Sequence, residues 1–160
     1  MDDVTIARAL HVGGVILWIG GVGFVTAVLL PSLQRLNDAR DAVAVFEAAE
    51  HRFGWQARVW TLVVGLSGLH MLARLDLWSR FADAAYWWMH GMVLVWLLFT
   101  ALLFVAEPLV LHRRLRAKAA ADPHGTLKLL GRAHWVLFLL SLAVALGAVA
   151  GAHGLLLFSS

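Results

Sequence analysis

Cysteine is absent from this chain of 160 residues, and the absence removes several chemistries at once. No disulfide, iron–sulfur cluster, thiolate metal site or covalent c-type haem attachment can be built without it. Charge is scarce as well: Asp, Glu, Lys and Arg make up 14% of the residues, where a soluble domain carries roughly 25%. No phosphate loop, Ser/His/Asp order or paired carboxylate stands out, which leaves little room for a soluble-style hydrolase or kinase. No nucleic-acid motif appears, so no nucleic-acid partner is expected. A cleavable signal peptide is not expected either, because the start MDDVTIAR is acidic and the apolar run behind it is too long.

What remains is apolar. Hydrophobic residues form 61% of the chain and collect in long runs, which predicts one integral membrane domain over residues 1–160. Crossing the hydrocarbon takes about 20 residues of helix, and four spans are predicted near residues 6–30, 55–75, 84–106 and 133–158. The first stops at Pro31, the third exits at Glu107-Pro108, and Asp122-Pro123 starts a helix ahead of the fourth. The second has a short apolar part, Val59 to Leu72, with Arg58 and Arg74 able to snorkel at its ends. Val43, Phe46, Ala49 and Phe53 share one helical face, so this helix is expected to begin well before the membrane. The expected fold is all-α: an up-down-up-down membrane four-helix bundle.

Basic residues orient it. Arg35, Arg40, Arg52, Arg58, Arg113, Arg114, Arg116, Lys118, Lys128 and Arg132 lie in or beside the loops at 31–54 and 107–132, while only Arg8, Arg74 and Arg80 lie on the other side. That asymmetry puts the two loops in the cytoplasm and both termini outside it, in a multi-pass protein of the cell's inner (plasma) membrane.

Four histidines then share one depth. His11, His70, His90 and His153 each belong to a different span, and at ~1.5 Å rise per residue they fall in a slab roughly 10 Å thick at the outer boundary. An ionisable residue at this depth points to function, and imidazole is a preferred ligand of haem iron, copper and zinc. His51, His112, His124 and His134 read instead as a polar flank of the basic loops, His134 standing at the start of the fourth span.

The halves of the chain also echo each other. HVGGVILW from His11 resembles HGMVLVW from His90, Pro31 matches Pro108, and Gly68-Leu69-His70 matches Gly151-Ala152-His153. A pseudo-twofold axis normal to the membrane would relate the two hairpins. His11 would then pair with His90 and His70 with His153 across that axis, or two equivalent sites would form off it. The four imidazoles are thus expected to bind one or two b-type haems, held by bis-histidine ligation. Gly13, Gly14, Gly20 and Gly21 offer a small-residue face for a ring, and Gly68, Gly91, Gly151 and Gly154 open the space around the other histidines. Arg8, Arg74 and Arg80 could meet the propionates. Close helix packing alone would also use such glycines. Copper is the alternative, with Met71, Met89 and Met92 as thioether donors beside His70 and His90.

At ALHVGGVILWIGG the chain resembles the CopD/HemJ group of small polytopic membrane proteins, through Leu10, His11, Trp18 and Gly20. EAAEHRFGWQAR is similar to that family's approach to the second helix, with Glu50, Arg52 and Arg58 the nearest positions, and YWWMHGMVLVW resembles its third helix, with His90 matching the family histidine. The resemblance covers roughly three helices. It implies copper handling on the CopD side and protoporphyrinogen oxidase activity on the HemJ side. Met92 stands where the HemJ pattern has lysine, and His70 and His153 go beyond that pattern, which moves the expectation towards a b-type cytochrome. Its job would be passing electrons between a quinone or membrane enzyme and a redox protein partner. Surrounded by membrane lipid, it could act as a homo-oligomer or as a subunit of a larger complex.

Overall fold

The computed structural model describes residues 2–155. Among these the chain is helical throughout, with no strand. Five helices follow one another: α1 (Asp3–Leu33), α2 (Ala39–Arg74), α3 (Ala84–Leu109), α4 (His112–Ala121) and α5 (Pro123–Ala152). Three of them, α1, α3 and α5, are long and apolar enough to cross a membrane. α2 is longer still but carries Arg58, His70 and Arg74 in its second half and falls short in apolarity.

Capping residues start the helices where the sequence suggests. Asp38 accepts the amide hydrogens of Arg40 (2.7 Å) and Asp41 (3.3 Å), so α2 begins at Ala39, far ahead of residue 55. Asp122 accepts from the Gly125 amide at 2.8 Å and Pro123 occupies the first turn. α5 therefore starts ten residues before the predicted span (Pro123 against 133) and ends at Ala152. His153 caps that helix rather than lying inside it, and the predicted end at residue 158 falls outside the described residues.

The two prolines expected to end spans do not. α1 widens to π-helical geometry over Val25–Leu29 and passes through Pro31 to Leu33. α3 does the same from Ala101 onwards, and the π geometry continues through Pro108 and beyond the end of α3 to Leu111. In a π-helix each amide hydrogen bonds the carbonyl five residues back. Pro108 has no such hydrogen, which leaves the Leu103 carbonyl open. Arg58 of α2 takes it, donating from Nε at 3.1 Å. The helix persists because a side chain from its neighbour replaces the missing donor.

The long helices pack antiparallel. Along α1 and α2, Gly68 faces the His11 ring, Gly14 faces Val64 and Gly21 faces Phe53. Trp96 of α3 donates its indole hydrogen to the Thr61 carbonyl of α2 at 2.9 Å. Gln34 at the end of α1 reaches the Leu127 carbonyl at the start of α5 at 3.2 Å, and Val144 of α5 seats on Gly91 of α3. One core joins Trp18 and Val22 of α1, Val64 of α2, Val95 and Phe99 of α3 and Val144 of α5. A second gathers Val25, Leu30, Leu33, Ala42, Phe46, Leu127 and Leu130 towards the basic loops. Outside, Leu66 is 68% and Val136 66% exposed, an apolar surface compatible with lipid contact.

Candidate functional site

The antiparallel packing brings the four histidines to one end of the molecule. His11 lies two turns into α1, His70 one turn before the end of α2, His90 in the first turn of α3 beyond its 3-10 entry (Ala84–Tyr86), and His153 on the last residue of α5's cap. Sharing an end is not convergence. His70, His90 and His153 are exposed, and only His11 is half-buried. No group of three or more His, Asp or Glu side chains is gathered for a metal ion among the described residues.

His11 is the best-defined of the four. Its Nδ1 is 3.0 Å from the Val64 carbonyl and 3.3 Å from Ser67 Oγ. Ser67 commits its own hydrogen to the Val63 and Val64 carbonyls, so it too presents a lone pair to His11. Both neighbours are acceptors, so Nδ1 carries the proton and Nε2 keeps its lone pair. An imidazole anchored through one nitrogen to a backbone carbonyl, with the other free, is the usual posture of a metal-ligating histidine. The absence of a side chain at Gly68 admits the ring, since a Cβ there would stand 3.0 Å from its Cε1.

The others have separate surroundings. His153 holds Nδ1 2.8 Å from the Val149 carbonyl one turn back, which also leaves Nε2 free. His70 turns Nε2 towards Asp3 Oδ2 at 3.3 Å, and Arg74 donates to the same oxygen at 2.9 Å. Arg74 is thus held by a carboxylate, while Arg8 is exposed with no ion pair among the described residues. His90 meets the edge of Phe81, centroids 5.2 Å apart. Arg80 lies over the Tyr86 ring at 4.9 Å, a cation–π contact.

The glycines expected to make room for a porphyrin are mostly filled by neighbours. Gly14 takes Val64, Gly21 takes Phe53, Gly91 takes Val144 and Gly151 takes the Trp88 indole; Gly13, Gly20 and Gly154 face open space. A ring threaded through the middle of the helices does not fit this packing. At the histidine end three imidazoles are exposed, and Arg8 is unpaired among the described residues. Of the polar-flank histidines, His51 and His124 are exposed, His134 is half-buried with Nδ1 2.9 Å from the Leu130 carbonyl, and the side chain of His112 lies outside the described residues.

A second polar cluster, at the opposite end, was not singled out by the sequence as a site. Arg58 and Glu107 pair at 2.9 Å across α2 and α3. Spacing along α2 shows that Arg58 shares a stripe with Glu50 and Gly54, but only the packing of α3 reveals that Glu107 lies over Gly54. Comparison with protein-family models, with curated proteins and with solved structures returns no match.

Proposed function

We propose that this protein is a four-span b-type cytochrome of the plasma membrane, carrying haem b at its outer end, where His11 would be one of the residues that hold it. The observation that carries the reading is the His11 imidazole itself, fixed through Nδ1 on the Val64 carbonyl with Nε2 free, at the end of an apolar helix assembly that brings three more imidazoles to the same level. His70, His90 and His153 are the candidates for the second ligand. Arg8 is the cation best able to meet a propionate, since Arg74 already serves Asp3.

Register supports a reading with four spans. α2 lies antiparallel to α1 from Arg74 against Asp3 to Phe53 against Gly21. If α1 crosses the membrane, that half of α2 occupies the same depth. Arg58 is tolerable there because Glu107 neutralises it. The excess of basic residues on the two connecting loops then puts both termini outside the cytoplasm. The paired π segments before Pro31 and around Pro108 support a repeat of two hairpins.

A bound haem supplies one-electron chemistry, and the protein's part is to orient the imidazole, exclude water from it and offer an outer face to a redox partner. The test is a reduced-minus-oxidised absorption spectrum with pyridine haemochrome quantification on detergent-purified protein. Stoichiometric haem b is expected, lost in His11→Ala, and reduced or converted to a high-spin spectrum in the ligand variant among His70→Ala, His90→Ala and His153→Ala. Copper retained in place of haem would transfer the same end to copper handling, as the CopD resemblance implies. Haem content unchanged in all four variants would end the reading.

A further inference from the structure

Glu47, Glu50, Gly54 and Arg58 follow one another at spacings of three and four residues, one stripe along the face of α2. The stripe is bracketed by ion pairs. At one end Arg116 of α4 reaches Glu47, Nε to Oε1 3.7 Å. At the other, Arg58 holds Glu107 of α3 at 2.9 Å, and both side chains are largely shielded (26% and 20% exposed). Glu107 reaches Arg58 through the gap at Gly54, where a Cβ would stand 3.7 Å from both the guanidinium and the carboxylate. Glu50 lies between the two pairs, half-buried, and makes no ion pair or hydrogen bond among the described residues.

We propose that Glu50 is a proton-binding site at the end of the helices opposite the histidines, a carboxyl that takes up and releases a single proton between two ion pairs that stay charged. The arithmetic of charge supports it. Each of the two guanidinium groups already has its carboxylate, so an ionised Glu50 would add an uncompensated negative charge beside the shielded Arg58–Glu107 pair. Protonation leaves the stripe neutral. Burial, then Glu107, then Glu47 push the Glu50 carboxyl from its ordinary 4.5 up to about 7. Among the described residues, Arg40 lines the groove that holds Glu47 and Arg116, and α5 brings His134 edge-on to Phe46, one turn from Glu50. The site is independent of any haem.

Infrared difference spectroscopy of the full-length purified protein, titrated from about pH 5 to about pH 9, reads the carbonyl stretch of a protonated carboxyl. One carboxyl is expected to lose its band with a midpoint near 7, and Glu50→Gln, which keeps the shape of the side chain, is expected to abolish that step. Glu107→Gln removes the stronger of the two negative neighbours, and the midpoint should fall towards the ordinary carboxylate range. Glu47→Gln, which leaves the Arg58 pair intact, should move it the same way by less, and serves if Glu107→Gln does not fold. A neutral-pH step that survives Glu50→Gln would overturn the proposal. So would complete ionisation of every carboxyl below about pH 5.

Discussion

Two buried polar atoms in the middle of the protein have no partner among the described residues: Trp18 Nε1 and Thr61 Oγ1. Thr61 is fully buried, and its carbonyl, not its hydroxyl, receives the Trp96 indole hydrogen. Thr26 is as well buried but donates to the Val22 carbonyl at 2.6 Å. The pair makes an internal control. Thr61→Val removes an unsatisfied hydroxyl at constant shape and should raise stability by up to about 1 kcal/mol, whereas Thr26→Val removes a made hydrogen bond and should cost roughly 0.5–1 kcal/mol. Thermal unfolding in one detergent, followed by tryptophan fluorescence, compares the two. If both variants shift in the same direction, the hydroxyl of Thr61 has a partner after all. Neither assignment was legible in the sequence, because two threonines in apolar helices look alike until the neighbours are known.

Among the elements, glycines separate packing from open surface. A Cβ at Gly21 would collide with the Phe53 ring, while at Gly13, eight residues earlier on the same helix, nothing stands within 4 Å. Gly21→Ala should therefore destabilise by about 1–3 kcal/mol through overpacking, and Gly13→Ala should be neutral or stabilising by up to about 1 kcal/mol through helix propensity. Equal effects in a thermal melt would deny the α1–α2 contact. The sequence showed that these glycines form a small-residue face. It could not show that the faces are already filled, since Val64, Phe53 and Trp88 arrive from other helices. The prolines misled for a related reason. Pro31 and Pro108 read as helix ends because proline removes a donor, yet a π segment at each site and the Arg58 side chain at the second keep both helices going. Helix starts were easier: Asp122-Pro123 is legible as a start in the sequence, and Asp38, which the sequence does not single out, acts in the same way through neighbours two and three residues away.

At the scale of the whole molecule, the long helices were legible, since they follow from counting residues along apolar runs, and antiparallel packing puts the four histidines towards one end. The directions of the side chains were not, because rotation about a helix axis is set by packing. The proposed four-span arrangement has a direct test that the absence of cysteine makes clean. Ala44→Cys and Ser79→Cys, one before and one after the apolar half of α2, should lie on opposite sides of the membrane, with only the second labelled by an impermeant thiol reagent on intact cells. Labelling both positions from one side would mean that α2 lies along the bundle without crossing.

The modest apolarity of α2 bears on how the chain enters the bilayer. Its second half carries Arg58, His70 and Arg74, and it leans on α1 from Phe53 to Arg74. Alone in lipid, that segment would expose charges at a cost of several kcal/mol. Those charges find Asp3 only on α1 and Glu107 only on α3. If α2 crosses the membrane as proposed, biogenesis acquires an order: α1 can insert as it is synthesised, α2 becomes stable only with α1 beside it, and Arg58 is neutralised only when α3 follows. A nascent chain halted before residue 107 would hold its second helix in the membrane weakly, and the arrival of one glutamate would lock it there.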